Sequence, residues 1–142
     1  MCSSDLMVQR EAAERFCAAP RTPQYGAVSV KVAYWATARI VGDVPASVFV
    51  PRPNVESSLV AIERRTHPPT EAPARELFDV LRTAFQQRRK MLRRSLAEVM
   101  PAAAFEAAKI EPTRRPEELD VVEWGRLVLA RRTVATNGVL GR

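Results

Sequence analysis

The sequence has few residues that could bind a metal ion or form disulfides. Cys2 and Cys17 are its two cysteines and His67 is its one histidine, among 142 residues. Their spacing matches no zinc-ligand pattern, and two cysteines do not suggest a disulfide framework. We therefore expect no metal site, and a reducing, cytoplasmic setting.

Long apolar runs are also missing, so no segment of the sequence is long enough to cross a bilayer as a helix. The N-terminus, MCSSDLMVQRE, lacks the basic start and apolar core of a secretory signal. Basic residues outnumber acidic ones by 22 to 16, which gives a net charge of +6. This excess favours a polyanionic partner, either nucleic acid or an anionic membrane.

A proline-rich stretch, THPPTEAPA at residues 66–74, divides the sequence into two regions of different character. Residues 1–65 mix strand and helix patterns, whereas residues 75–132 are helical throughout, and residues 133–142 are expected to form a flexible tail. The sequence therefore predicts an α/β region, a linker and an all-α region.

In the first region we expect strands over 6–9, 39–44 and 57–64, and a helix over 10–19 with Phe16 facing inward. Between them, Val28, Val32 and Trp35 repeat at helical spacing, but the alternation of Val28, Val30 and Val32 suits a strand equally well. We favour a helix that ends at Ala36. Trp35 is expected to be a packing residue.

In the second region we expect helices over 75–100 and 102–110 and a last helix that Asp120 caps and that runs to Arg132. Trp124 is expected to anchor that last helix.

One segment of the second region carries positive charge without any acid: LRTAFQQRRKMLRRSL, residues 81–96. If it is one helix, apolar residues fall on one side and most cations on the other. We favour RNA or DNA phosphates as the partner of this basic face; a solvated face without a partner and a membrane-surface helix remain alternatives. The cations are Arg82, Arg88, Arg89, Lys90, Arg93 and Arg94.

A second unusual segment is FVPRPNVESSLV, residues 49–60, in which two prolines follow an aromatic residue. Proline fixes φ and restricts the residue before it to extended geometry. We therefore expect residues 50–53 to form a stiff, extended loop beside Phe49.

Four segments together resemble the C-terminal half of the KsgA-type ribosomal RNA adenine dimethyltransferase family. LMVQREAAERF resembles its M-x-Q-[KR]-E segment, and QYGAVSVKVAYW its Y-G-x-x-S-V helix. PASVFVPRPNVESSLVAIERR resembles the F-x-P-x-P-x-V-x-S-x-[LV] signature, and AFQQRRKMLRRSL the F-x-Q-R-R-K helix. Their order and spacing make the four jointly specific, over residues 6–130.

The resemblance implies a fold and several residue roles. Residues 1–65 would be the last strands of a Rossmann-like S-adenosylmethionine-dependent domain, and residues 75–132 a small helical RNA-binding domain. Phe49 would stack on a flipped target base, with Pro51 and Pro53 as loop scaffold. Arg52, where the family often has a proline, is expected to contact RNA with the six cations of residues 81–96. Asn54 replaces the family's usual lysine.

The family's glycine-rich cofactor turn and its N-[LI]-P-[YF] catalytic loop are absent from the sequence. We expect both upstream of residue 1, so that this chain alone binds no cofactor and catalyses no transfer. The strands at 6–9 and 57–63 are expected to lack sheet partners for the same reason.

The resemblance implies S-adenosylmethionine-dependent dimethylation of two adjacent adenines near the 3′ end of 16S ribosomal RNA, in ribosome biogenesis. The expected partner is the immature small subunit, with no membrane and with the protein as a monomer. Two alternatives stay open: an erythromycin-resistance-type methyltransferase of large-subunit RNA, and a non-catalytic RNA-binding or assembly module.

Overall fold

The chain separates into two compact units, Met1–Pro68 and Pro69–Arg142. The structure, a computed structural model, describes residues 3–52 and 54–140, with side chains to residue 137. The boundary between the units lies inside the predicted proline-rich linker. The first unit contains strands and helices, and the described part of the second is helical, as the sequence predicts.

The first unit is built on a three-stranded antiparallel sheet in the order β1-β3-β2. Its strands are β1 (Ser3–Gln9), β2 (Ala36–Val44) and β3 (Ser57–Arg64). The bounds of β3 match the prediction, whereas β1 and β2 both begin three residues before their predicted starts. The expectation that β1 and β3 lack partners is wrong, because β3 is the central strand and pairs with both neighbours.

Two helices pack against this sheet, α1 (Arg10–Phe16) and α2 (Ala27–Trp35). α1 ends at Phe16 rather than at residue 19, and its inward residue is Ala13, not Phe16, which is half-buried. α2 stops one residue before the predicted end because β2 begins there. Trp35 packs edge-on against the ring of Tyr34, at 4.7 Å between ring centroids, while 46% of the residue remains exposed.

The two faces of β3 differ in burial. Ser58 and Val60 are fully buried, whereas Leu59 between them is 37% exposed. Successive side chains of a strand point to opposite faces. Met7, which is opposite Leu59 in the register, is 52% exposed. The packed face is confined to the central strand, because Leu6 and Ile40, which pair with Val60, are 42% and 41% exposed. Apolar side chains therefore reach solvent on both faces of the sheet.

Over residues 69–140 the second unit contains four helices and a short 3₁₀ helix, Pro116–Glu118. The helices are α3 (Ala74–Phe85), α4 (Leu92–Ser95), α5 (Ala102–Ala108) and α6 (Val121–Leu140). Trp124 is fully buried at the start of α6, and its ring lies 6.0 Å from that of Phe85. Its predicted role as the anchor of the last helix is confirmed. Leucines from three helices and from the residues that follow α4 and the 3₁₀ helix are buried with it: Leu77, Leu81, Leu92, Leu96, Leu119 and Leu127.

The single helix predicted over residues 75–100 is wrong. α3 ends at Phe85, a turn spans residues 86–90, and α4 is a separate helix of four residues. A continuous helix would bond the Leu92 N–H to the carbonyl four residues earlier. That N–H donates instead to the Arg114 carbonyl, at 2.8 Å. Repulsion between like charges four residues apart also disfavours a helix through this segment.

The last helix begins as predicted and ends later. The Asp120 carboxylate accepts a hydrogen bond from the Glu123 N–H at 2.8 Å, which confirms Asp120 as the cap of α6. α6 continues past Arg132 to Leu140, so residues 133–140 are helical rather than the frayed tail expected.

Part of the proline-rich stretch packs within the second unit instead of acting as a free linker. Ala72 is fully buried, and its N–H donates to the Thr70 hydroxyl at 3.3 Å. Thr70 lies directly over Gly125 of α6, where an added Cβ would come within 2.0 Å of the Thr70 Oγ1. Glycine is therefore required at position 125 by this close approach.

Gly125→Ala is expected to destabilise the second unit. The Cβ would overlap the short, branched side chain of Thr70, and overpacking of this kind costs about 1–3 kcal/mol. The helical preference of alanine over glycine offsets about 1 kcal/mol of that. Urea unfolding measures the change. Thr70→Gly should destabilise the parent, because it removes the acceptor of the Ala72 N–H, but should cost less or even stabilise in the Gly125→Ala background. A Gly125→Ala variant as stable as the parent would contradict the close approach.

Candidate nucleic-acid interface

Two of the six predicted cations are neutralised by acidic partners. Arg82 forms an ion pair with Asp79, one turn earlier in α3. Arg88 lies in the turn after α3 and pairs with Glu117 at 3.1 Å, and both side chains are partly buried. Arg88 therefore has a structural partner and is a weaker candidate for contact with nucleic acid. The pair of Arg82 and Asp79 is exposed and screened by water, so it discounts Arg82 less.

The other four cations form an exposed group, which we call the basic cluster: Arg89, Lys90, Arg93 and Arg94. Arg89 and Lys90 are in the turn of residues 86–90, and Arg93 and Arg94 are in α4. Within the described part of the chain, none of the four makes an ion pair. Four uncompensated cations within six residues make a surface suited to phosphates.

The apolar side of this segment remains inward although the helix is broken. Leu81, Leu92 and Leu96 are buried, as the predicted pattern requires, whereas Val99 is 38% exposed. The separation of charged and apolar residues therefore survives, but through two short helices and a turn.

The position of α4 is set by a neighbouring loop. The N–H of Leu92 donates to the carbonyl of Arg114 at 2.8 Å, and the N–H of Arg93 donates to the carbonyl of Pro112 at 3.0 Å. The first N–H groups of a helix have no partner within it. In α4, residues 112–114 supply those partners.

Arg114 holds this loop against the start of α6. Its guanidinium donates to both carboxylate oxygens of Glu123, at 2.5 and 3.4 Å, and to the Glu118 carbonyl at 2.6 Å. We call Arg114 and Glu123 the clamp. Burial raises the pKa of the Glu123 carboxyl, but hydrogen bonds from Arg114 and from the Asp120 N–H outweigh it, so the pKa lies below its ordinary value.

The clamp is not among the features that the sequence predicts. The pattern Asp120-x-x-Glu123 before an apolar run is typical of a helix start and could have singled out Glu123. Arg114 is nine residues away, and no local pattern predicts that pair.

Phe49 lies just after a short 3₁₀ helix, Ala46–Val48, and its N–H donates to the Ala46 carbonyl at 3.2 Å. Its backbone is extended, with φ −101° and ψ 148°, and its side chain is half-buried. Val50, which follows, is 98% exposed. A ring that is partly packed and partly accessible can offer one face to a ligand.

The loop after Phe49 bends instead of running extended. The chain bends at residues 49–51, and the Val50–Pro51 peptide bond is cis. Pro51 is exposed, as is Arg52, and Pro53 lies outside the described residues. The prediction of a fully extended loop is therefore wrong over residues 50–51.

The described residues do not fit S-adenosylmethionine. Gly26 precedes α2, Gly42 lies within β2 and Gly125 lies in α6, so these glycines do not meet in one turn.

Burial raises the pKa of the Cys17 thiol, which disfavours the nucleophilic thiolate. Over residues 3–52 and 54–140, no three His, Cys, Asp or Glu side chains gather as metal ligands, and no helix is long and apolar enough to span a membrane.

Comparison with known sequences identifies a family. The profile of the ribosomal RNA adenine dimethylase family matches residues 2–129. A ribosomal RNA small subunit methyltransferase A from Acidothermus cellulolyticus is 47% identical over 133 residues, which are 90% of this chain and 46% of that protein. The protein of the same name from Thermobifida fusca is 42% identical, over 86% of this chain and 44% of its own length. The chain thus spans about half the length of the curated relatives it matches.

Solved structures show the same fold. A dimethyladenosine transferase from Plasmodium falciparum matches 94% of this chain with a TM-score of 0.80 and 21% identity, over 58% of its own chain. The 23S rRNA methyltransferase ErmE matches 92% of this chain with a TM-score of 0.62 and 21% identity, over 55% of its own chain.

Replacing one member of the basic cluster should flatten the salt dependence of RNA binding. Each phosphate contact contributes a little less than one unit to the slope of log K against log[salt], so Arg93→Gln or Arg89→Gln should lower it by about one unit. Arg75→Gln is the matched control. It removes an exposed cation from the first turn of α3, about 15 Å along the helix from the turn. A slope that Arg93→Gln leaves unchanged would contradict the role of the cluster.

The clamp should make stability depend on pH. Because the pKa of Glu123 is lowered in the folded state, its contribution is complete above the unfolded pKa and is lost as the pH falls through the folded pKa. Glu123→Gln should therefore destabilise the second unit at pH 7, on the order of 1 kcal/mol. Urea unfolding at pH 7 and near pH 3 measures the free energy of unfolding of the parent and of Glu123→Gln. The difference should shrink at the lower pH; a difference independent of pH would contradict a charged clamp.

Proposed function

Because the chain belongs to the ribosomal RNA adenine dimethylase family, we propose that the whole protein dimethylates two adjacent adenines near the 3′ end of 16S ribosomal RNA. S-adenosylmethionine would be the methyl donor and the immature small ribosomal subunit the substrate, in ribosome biogenesis. The names of the relatives support the small subunit. The likeness to methyltransferase structures supports a Rossmann-like origin for the first unit.

Within that activity, the chain described here would bind and orient the RNA. The observation that carries this proposal is the basic cluster, whose four exposed cations make no ion pair among the described residues. Phosphate contacts of this kind fix the position of an RNA without reading its sequence. Arg52, exposed beside the Phe49 loop, would add a contact from the first unit. Arg82 and Arg88 would contribute less, because each already has an acidic partner.

Phe49 would hold the target base. An enzyme that modifies a base must take it out of the stack and bind its face. The 3₁₀ helix before Phe49 and Pro51 after it restrict the backbone on both sides. A restrained ring loses less conformational entropy on stacking than a mobile one.

The structure of ErmE makes an erythromycin-resistance-type activity on large-subunit RNA the second candidate. A non-catalytic RNA-binding or assembly module is the third, since the described residues do not fit the cofactor. The substrate RNA separates the three.

The deciding experiment incubates the product of the complete gene with labelled S-adenosylmethionine and with small or large subunits that lack the modification. We expect N6-dimethyladenosine in small-subunit RNA, found by mass spectrometry of nuclease fragments. Label in large-subunit RNA would favour the second candidate. RNA binding without any transfer would favour the third.

Replacing the ring of Phe49 should slow methylation. Stacking of a base on an aromatic side chain is worth about 1–3 kcal/mol, so Phe49→Leu should reduce kcat/KM by about tenfold or more. Phe49→Tyr keeps the ring and should retain most activity. Val50→Ala, at the exposed neighbouring position, is the control and should change little. Equal activity of Phe49→Leu and the parent would show that Phe49 only packs.

A further inference from the structure

We propose that Arg114 and Glu123 are positioning residues for RNA binding: their ion pair fixes the loop whose carbonyls hold α4, and α4 carries half of the basic cluster. The inference rests on the proposed RNA-binding role of that cluster. It assigns a function to two residues that lie outside the cluster. The terminal nitrogens of Arg114 are bonded to Glu123 and Glu118, and its Nε is buried without a partner, so the guanidinium is not placed to contact RNA.

α4 needs an external restraint because it is short. A helix of four residues has too few internal hydrogen bonds to persist alone. Arg93 and Arg94, both within it, also repel each other and the preceding Arg89 and Lys90. External bonds must therefore hold the segment in place.

The hydrogen bonds from the N–H groups of Leu92 and Arg93 to residues 112–114 supply that restraint. They are effective only if the accepting loop is itself fixed. Arg114 provides one of the accepting carbonyls and, through its side chain, ties the same loop to α6. One residue thus joins α4 to the capped start of α6.

The clamp is partly buried, which suits a structural tie better than a contact with RNA. The side chains of Arg114 and Glu123 are 20% and 22% exposed, and the guanidinium already donates to three oxygens. The pair should therefore act on RNA affinity through the placement of Arg93 and Arg94 and not through direct contact.

Positioning and simple electrostatics predict opposite effects of Glu123→Gln on the affinity for RNA. The substitution removes a negative charge, so electrostatics alone predicts tighter RNA binding. Loosening of the clamp predicts weaker binding, by about five- to tenfold at moderate salt, together with a flatter salt slope. Glu98→Gln is the charge-matched control: Glu98 is exposed and makes no ion pair among the described residues. It should bind as tightly as the parent or more tightly.

Hydrogen exchange supplies a readout that does not depend on RNA. The amides of Leu92 and Arg93 should exchange faster in Glu123→Gln than in the parent, while those of α3 change less. Arg114→Lys is a second, milder variant, because lysine keeps the charge but cannot donate to both carboxylate oxygens. It should give smaller changes of the same sign, and it serves if Glu123→Gln fails to fold.

The outcomes separate this inference from the proposed function. Faster exchange with weaker RNA binding supports positioning. Unchanged or tighter RNA binding by Glu123→Gln overturns it, and the proposed function stands if Arg93→Gln still weakens binding. If neither Arg89→Gln nor Arg93→Gln has an effect, the basic cluster does not bind RNA and the positioning inference fails with it, whereas the proposed methylation is decided separately by the transfer assay.

Discussion

The arrangement of the helical unit depends on two hydrogen bonds that hold α4 to a distant loop, in a segment where like charges disfavour a continuous helix. Arg89, Lys90, Arg93 and Arg94 would lie one turn apart on a continuous helix, at a cost of about 1 kcal/mol in total. The chain breaks the helix instead and bonds the N–H groups of Leu92 and Arg93 to another loop. Buried leucines on the other side of the segment still pack. The positive charge is thereby concentrated on an exposed turn and α4. The position of this segment then depends on tertiary contacts.

The clamp shows how that dependence is met. An exposed ion pair contributes little, because water and salt screen it and two long side chains must be ordered. The pair of Arg114 and Glu123 is partly buried and shares its acceptors with the cap of α6 at Asp120. Its bonds therefore reinforce one another, and a lost bond affects both the loop and the helix start.

The sequence predicts features that depend on neighbours along the chain. β3 is bounded by the signals that predict it, and Asp120 caps α6 because a carboxylate before an apolar run suits a helix start. Trp124 is buried because its neighbours repeat at helical spacing. Features that depend on distant residues were not predictable: the break after Phe85 requires Arg114 and Pro112, and the pairing of Arg88 requires Glu117.

The same distinction applies to the candidate site. Composition and periodicity single out the segment of basic residues, because an unbroken run of one sign can be read directly from the sequence. They could not show which cations remain uncompensated, since Glu117 is far from Arg88 in the sequence. The structure separates the six candidates into two that have acidic partners and four that make no ion pair among the described residues. The charge of this segment comes from its own arginines and lysine, whereas its geometry depends on the distant ion pair of Arg114 and Glu123. Charge and geometry are therefore set by different residues, so each can be altered without the other.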